Sequence, residues 1–220
     1  MSVYRSLILS LAICTSLSCA KTTPSPPDEP PDQTPPVTGK ADAVASGVPY
    51  FYQYDNLLHP GSSCQNTSIA MVLSHIGWEG TPDDITAEWG KDYAQSPRNL
   101  SYLFNTLSNE HWLGGALWTT TEGSLEEFRS AASQDNIIIV HGYFTGYGHV
   151  LVVTGFDGEN YRVNDPAGQW NLEFRGGYGQ ERSDGHDILY PREQFEAAIS
   201  TSDGVHFLPL WYHVLRIMTR

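Results

Sequence analysis

Apolar residues recur with a helical period along residues 62–77. Positions i, i+3, i+4 and i+7 form one apolar face, made of Ile69, Val72, Leu73 and Ile76. Ser62 and Ser63 are good N-cap residues, and Gly77 is a good residue to end a helix. The pattern therefore predicts an amphipathic helix whose first turn contains Cys64.

The rest of the chain reads as helices followed by strands. Capping and periodicity predict helices at 82–93, 98–107, 124–133 and 191–199. β-Branched or alternating runs predict strands at 137–144, 149–156, 160–164, 170–174 and 211–218, with an Asp157-Gly158 turn joining two of them. Helices first and strands later within one domain predict an α+β fold with an antiparallel sheet.

The N-terminal part differs in composition from the folded domain expected at 47–220. Arg5 and an apolar run at 7–17 are typical of a signal peptide, and Cys19 ends a segment like a bacterial lipobox. We expect a lipoprotein-type signal at 1–19 with a lipid anchor on Cys19; cleavage without lipid is the alternative. Residues 20–46 are rich in proline and predict a disordered tether. The expected location is the bacterial cell envelope, membrane-anchored, or alternatively the periplasm or the medium.

Charge and motif content exclude several classes of function. The net charge of −13 leaves no basic patch for nucleic acid. Neither an H-E-x-x-H nor a C-x-x-C motif is present, so we expect no metal and no cofactor. The acidic stretch 157–160 could bind calcium, but such a turn is usually only a turn.

Cysteine usage draws attention to Cys64. Cys14 leaves with the signal peptide and Cys19 would carry lipid, so the folded domain keeps one thiol and no partner for a disulfide. A cysteine in the first turn of a helix has its thiolate favoured by the helix dipole. Cys64 is therefore a candidate nucleophile; the alternative is a small apolar residue that fills a gap.

A thiol nucleophile needs a base and a group that orients the base. His149 opens the strand predicted at 149–156, and Asp165 follows the returning strand. A hairpin places them about two residues from opposite one another, within side-chain reach. Separately, His149 could be a surface residue and Asp165 a turn residue before Pro166. His141 is the rival base.

Acyl transfer also requires donors for the developing oxyanion. The backbone N–H of Cys64, at the start of the helix, is one candidate. Gln53, eleven residues upstream in an extended aromatic segment, is the second. A solvent-facing position on an edge strand is the alternative for Gln53.

Four motifs occur in order: V-P-Y-F-Y-Q-Y-D, S-C-Q-N-T-S-I-A-M-V-L-S-H-I-G, G-H-V-L-V-V-T-G-F-D and Y-R-V-N-D-P-A-G. Together, over about 48–168, they resemble the bacteriocin-processing, papain-like cysteine peptidases, in particular the stand-alone C39-like branch without a transporter. The resemblance implies a papain-like α+β fold with a central Cys-bearing helix packed on an antiparallel β-sheet. It also implies the roles of nucleophile for Cys64, base for His149, orienting acid for Asp165 and oxyanion donor for Gln53.

The sequence departs from that family in two places. Gln65-Asn66 follows the nucleophile where the family usually has Gly-Pro, and the spacing from Gln53 to Cys64 is longer than in minimal sites. The predicted function is an exported cysteine peptidase that acts on a peptide or protein substrate. Two alternatives stay open: a catalytically silent papain-like binding module, and an NlpC-type cell-wall amidase.

Overall fold

The computed structural model describes residues 47–201 and 208–218. The signal, lipid-anchor and tether predictions therefore lie outside the described residues. The helices are α1 Cys64–His75, α2 Pro82–Trp89, α3 Pro97–Glu110, α4 Leu125–Ala132 and α5 Arg192–Ser200. The strands are β1 Gly115–Gly123, β2 Ile138–Gly142, β3 His149–Phe156, β4 Asn160–Asn164, β5 Ile188–Pro191 and β6 Leu210–Ile217.

The strands form one antiparallel sheet in the order β1-β6-β2-β3-β4-β5. Helices α1 to α3 pack on one face, where Ile139 and Val152 meet them. Helices α4 and α5 pack on the other face against Val140 and Val153. Because β2 and β3 are covered on both sides, successive residues are apolar instead of alternating. The predicted α+β, papain-like fold with a Cys-bearing helix on an antiparallel sheet is confirmed.

Helix α1 is central, and this corrects the amphipathic interpretation. Every residue from Gln65 to Leu73 is buried, polar ones included, so the helix has no solvent face in this stretch. Of the two predicted N-cap residues, Ser63 is the N-cap, although its side chain makes no cap hydrogen bond, and Ser62 belongs to a short 3-10 helix, Pro60–Ser62. Gly77 does end the helical segment, with a positive φ of 99°.

Two strands were not predicted and one predicted strand is absent. β1 and β5 are the edges of the sheet, where few residues are buried and the apolar pattern is weak. The strand predicted at 170–174 is wrong: only Trp170 makes an isolated bridge, to Tyr178. Leu172 has a φ of 65°, which interrupts an extended backbone. Helix α2 also ends earlier than predicted, at Trp89, because the C-cap residue Gly90 leaves the helical conformation with a φ of 80°.

Candidate active site

Cys64 is the first residue of α1 and lies at the end of the sheet that contains His149. α1 is held on β3 by a hydrogen bond that Ser68 Oγ donates to the Val150 carbonyl, at 3.1 Å. The Cys64 thiol donates to Gln65 Oε1 at 3.2 Å and interacts directly with the His149 imidazole. Residues 85 positions apart are therefore adjacent because one buried helix crosses one buried strand.

His149 and Asp165 meet through the β3–β4 hairpin. Val152 pairs with Asn164, so Asp165 lies about two residues from the position opposite His149, as hairpin geometry predicts. His149 Nε2 is 2.8 Å from Asp165 Oδ1, and both side chains are buried. With Nε2 directed at the carboxylate, Nδ1 is the ring nitrogen left for the thiol.

Asp165 is completely buried, and both of its carboxylate oxygens are hydrogen-bonded. Oδ1 accepts from the Ala167 N–H at 3.0 Å as well as facing His149. Oδ2 accepts from the hydroxyls of Tyr178 and Tyr190, at 2.8 and 2.9 Å. Sequence reasoning missed both tyrosines, because they lie beyond the hairpin and no local pattern relates them to Asp165.

The electrostatics of the pair favour a thiolate and an imidazolium. Burial by itself would raise the pKa of the Cys64 thiol, but the charge and hydrogen bond of His149 and the N–H groups of Val150 and Gln65 lower that pKa overall. Burial opposes the charge on His149 as well, yet Asp165 and Cys64 raise its pKa to about 10. A thiol with a lowered pKa beside a protonated histidine is the state in which cysteine is nucleophilic.

Gln53 lies in a 3-10 helix, Gln53–Asp55, upstream of Cys64. The edge-strand alternative is excluded, since the residue is only 3 % exposed. Its backbone N–H donates to the Pro166 carbonyl at 2.7 Å, which ties this segment to the residue after Asp165. Its side-chain Nε2 donates one hydrogen bond, to the Pro60 carbonyl at 3.0 Å, and the amide has a second proton to offer.

Gln53, Cys64 and His149 line one cavity of about 700 Å³. Such a volume is in the range of small-ligand and peptide subsites. Its walls combine tyrosine, tryptophan and aliphatic side chains with polar ones. Among the described lining residues, Glu122 is the only one with a carboxylate, and none is Lys or Arg. The sequence-predicted nucleophile, base and oxyanion donor are thus brought to one place, with the acid behind them; their catalytic roles stay predictions.

Comparison with known proteins places the chain in a family. The sequence profile of the Peptidase C39-like family matches residues 45–185, which is more than half of the chain. The chain belongs to the C39-like peptidase family. The resemblance noted in the sequence is therefore confirmed, and the fold is that of a cysteine peptidase. A search of curated protein sequences found no match to this C39-like chain.

Two solved structures are similar to the C39-like chain. One is a protein from Bacillus anthracis described as a C39-like peptidase, with 16% identity, a TM-score of 0.53, and coverage of 80% of this chain and 98% of that one. The other is a double-glycine motif protease from an AMS/PCAT transporter in complex with the leader peptide, with 18% identity, a TM-score of 0.48, and coverage of 76% and 91%. At 16% identity, the similarity to the Bacillus anthracis protein shows only that the fold is shared.

The departure from the family pattern after the nucleophile has a structural explanation. Gln65 Nε2 donates to the Lys91 carbonyl, and Asn66 Nδ2 donates to Thr86 Oγ1 at 3.0 Å and to the Gly90 carbonyl at 3.3 Å. These bonds connect the start of α1 to the end of α2. In this C39-like chain, Gln65-Asn66 therefore anchors the nucleophile-bearing turn by side-chain hydrogen bonds.

His141, the rival base, lines the same cavity, but no carboxylate of the described residues is hydrogen-bonded to it. Its Nε2 lies 3.1 Å from Nε2 of His213, whose Nδ1 lies 2.8 Å from Thr119 Oγ1. Burial lowers the pKa of His141 to about 4, so both rings of this pair are neutral at pH 7. A neutral histidine without an orienting acid is the poorer base, and the geometry favours His149.

The described part of the chain contains no group of three or more His, Cys, Asp or Glu side chains placed to hold a metal ion. In the acidic turn 157–160, Asp157 Oδ1 accepts from the N–H groups of Glu159 and Asn160, at 2.8 and 2.7 Å, which shapes the turn itself. No helix among residues 47–201 and 208–218 is long and apolar enough to cross a membrane.

Proposed function

We propose that this chain is a cysteine peptidase that hydrolyses a peptide bond through Cys64, His149 and Asp165, with Gln53 as an oxyanion donor. The observation that carries the proposal is the thiol of Cys64 at a helix start beside an imidazole that a buried carboxylate holds at 2.8 Å. Peptidase activity is also what the family's name implies.

The reaction follows from the positions of these groups. His149 takes the proton of Cys64 and the thiolate attacks the carbonyl carbon of the scissile bond. The Cys64 N–H and the free proton of Gln53 Nε2 stabilise the oxyanion. His149 then gives its proton to the leaving amine, and a water molecule, deprotonated by His149, hydrolyses the thioester and restores the thiol.

The substrate that this cavity fits is a stretch of peptide with mostly uncharged side chains. The walls offer aromatic rings at Tyr54, Tyr143, Tyr147 and Trp211, and no lysine or arginine among the described lining residues. Among the described lining residues an acidic substrate side chain would find no lysine or arginine, whereas apolar side chains would bury surface against the rings. The proposal therefore favours a peptide or protein over an anionic small molecule.

The reactivity of Cys64 tests the enzyme directly. The purified chain is treated with iodoacetamide near neutral pH, and alkylation is followed by mass spectrometry on the peptide that contains Cys64, which separates it from Cys14 and Cys19. We expect alkylation at least about tenfold faster than in denaturant, because the thiol pKa is lowered. A rate as slow as that of the denatured chain would contradict the enzyme and support the silent binding module.

Substrate class is tested with a peptide library and purified muropeptides in parallel, using Cys64→Ala as the inactive control. Cleavage of peptides by the native chain, absent in Cys64→Ala, supports the peptidase. Cleavage confined to muropeptides would instead identify an NlpC-type cell-wall amidase.

We further propose that the chain is exported and lipid-anchored through Cys19 in the bacterial cell envelope. The sequence of 1–19 is the support, together with a proline-rich 20–46 that would hold the domain away from the membrane. Labelled palmitate incorporated by the native chain and lost in Cys19→Ala would support the anchor. Labelling retained in Cys19→Ala would contradict it.

A further inference from the structure

Tyr178 touches both members of the predicted His149–Asp165 pair. Its hydroxyl donates to Asp165 Oδ2 at 2.8 Å, and its ring centroid lies 5.1 Å from that of His149, tilted by 58°. It also lines the cavity that contains Cys64. The residue therefore stands between the cavity and the hydrogen bond that orients the histidine.

Tyr178 lies outside the strands, in the loop at 175–185. Backbone hydrogen bonds hold this loop in place beside Tyr178. The Gly177 N–H donates to the Phe144 carbonyl at 2.9 Å, and the Gly177 carbonyl accepts from the Asn171 N–H at 3.2 Å. Gly177 has a φ of 77°, a conformation that glycine adopts without strain. Tyr178 is thus held in place by the residue before it.

Tyr190 bonds the same carboxylate oxygen but serves the core. Its hydroxyl, 2.9 Å from Asp165 Oδ2, also accepts from the Trp170 N–H at 2.8 Å, and the side chain does not line the cavity. Tyr190 approaches from inside the fold, whereas Tyr178 approaches from the cavity. The two hydroxyls together fix the rotation of the carboxylate.

We propose that Tyr178 is a positioning residue, which holds Asp165 Oδ1 towards His149 Nε2 and shields that bond from water in the cavity. The inference rests on the proposed function and deepens it, because it assigns a role to the 175–185 loop. A buried carboxylate with a donor on each side of Oδ2 cannot rotate away from the histidine without losing a charge-assisted hydrogen bond. Burial raises the pKa of the Tyr178 hydroxyl well above its ordinary value, so the group stays a donor.

Tyr178→Phe tests the role, because it keeps the ring and removes only the donor. With one donor lost, Asp165 orients His149 less well and the thiolate loses support. We expect the pH midpoint of Cys64 alkylation to rise by about half a unit to one unit. With a peptide that the native chain cleaves, kcat should fall by about tenfold and KM should change little.

Tyr161→Phe is the matched control. Tyr161 is buried and donates to the Glu196 carboxylate at 2.8 Å, in the core far along the chain from Cys64. Both variants should lower the thermal unfolding midpoint by a few degrees, and only Tyr178→Phe should shift the alkylation profile. Equal alkylation profiles in the two variants would show that Tyr178 has a purely structural role and would overturn the inference.

A double-mutant cycle with Asp165→Asn separates action through Asp165 from a direct effect on the thiol. If Tyr178 acts through the carboxylate, Tyr178→Phe should shift the alkylation midpoint much less in the Asp165→Asn background. A full shift in that background would overturn the inference. If Cys64 in the native chain is alkylated no faster than in the denatured chain, the proposed function is wrong. If the native thiol is reactive but Tyr178→Phe leaves the alkylation profile unshifted, only the inference about Tyr178 is wrong.

Discussion

Asp165 and Gln53 flank the predicted Cys64–His149 pair, and both are buried, yet their polar atoms are held in very different ways. Asp165 accepts hydrogen bonds on both oxygens, from His149, Ala167 and two tyrosine hydroxyls. Gln53 donates one bond from Nε2, while its Oε1 is buried with no hydrogen-bond partner in the described part of the chain.

The side of the site with Asp165 and His149 therefore has its hydrogen bonds complete before substrate binds. The side with Gln53 does not. The acid and base are fixed by the fold, so their arrangement needs no substrate. The amide of Gln53 keeps one proton for a group that arrives in the cavity. Variants of the two sides should therefore affect stability and activity differently.

Asp165→Asn is expected to have the largest effect, on both quantities. The change removes the charge that holds His149 protonated, and kcat/KM should fall by up to about 10⁴-fold. It also puts an NH2 group where a carboxylate oxygen accepts hydrogen bonds, either from Tyr178 and Tyr190 or from Ala167, so the free energy of unfolding should fall by about 1–3 kcal/mol. Kinetics on a cleaved peptide and urea unfolding measure the two.

The control for that variant is Glu196→Gln, which removes another buried carboxylate that accepts from a tyrosine, Tyr161. Its stability should fall by a similar amount, since the Arg129 ion pair is lost too, at 2.6 Å, while kcat/KM should be unchanged. A comparable loss of activity in both variants would mean that lost stability, and not lost orientation of His149, explains the result.

Gln53→Leu should reduce activity with little cost in stability. Loss of one oxyanion donor lowers kcat by about 10²–10³-fold. The variant loses one hydrogen bond to Pro60 but also removes a buried, unpartnered oxygen. The free energy of unfolding should therefore change by less than about 1 kcal/mol. Gln95→Leu, at another glutamine of the same cavity, should leave kcat nearly unchanged. Native kcat in Gln53→Leu would remove Gln53 from the mechanism.

The pH dependence of activity and stability tests whether Cys64 and His149 form a thiolate–imidazolium ion pair. Activity should rise as pH passes the lowered pKa of Cys64 and fall as pH rises towards the pKa of His149, about 10. Because that folded-state pKa is above the ordinary 6.5, the stability that His149 gains is full below pH 6.5 and is lost as pH rises through about 10.

Alkylation rates of Cys64 and urea unfolding, both measured across pH 4–11, test the expected pH dependence of thiol reactivity and of stability. His149→Gln should abolish the reactive thiolate at neutral pH and flatten the alkaline loss of stability. An alkylation midpoint near 9, the ordinary value for the thiol, would contradict the ion pair.

How much of this could be predicted from the sequence depends on how local the signal is. β3 and β4 were predicted with their observed bounds, because β-branched runs flank an Asp157-Gly158 turn and register follows from the hairpin. The same hairpin predicted the meeting of His149 and Asp165. The two missed strands are both sheet edges, where packing imposes little pattern.

The contacts that fix the site were beyond sequence reasoning because they join distant segments. Tyr178 reaches Asp165 through a loop with positive φ at Leu172 and Arg175, and no periodic pattern describes such a path. The buried polar face of α1 was missed for a related reason. The Asn66 Nδ2 group donates to Thr86 Oγ1 of α2, so a polar residue is buried where amphipathic periodicity would place it in solvent.

Arg182→Ala should have the smallest effect, and it tests how the two sides are joined. Arg182, on the loop that carries Tyr178, makes a bidentate ion pair with Asp55, at 2.6 and 2.8 Å, and lies 4.4 Å from the Tyr52 ring centroid. Asp55 belongs to the same 3-10 helix as Gln53. The pair is exposed on both sides, so it adds little to stability and is screened by salt.

We therefore expect Arg182→Ala to lower kcat by less than about threefold at low salt, with no difference from the native chain at 1 M NaCl, where the Debye length is only about 3 Å. The backbone bond from Gln53 N–H to Pro166 and the bonds of Gly177 would still hold the two sides together. A loss as large as that of Tyr178→Phe, persisting at 1 M NaCl, would mean that Arg182 positions Gln53 and Tyr178 through packing on Tyr52, and the two sides would then behave as one unit.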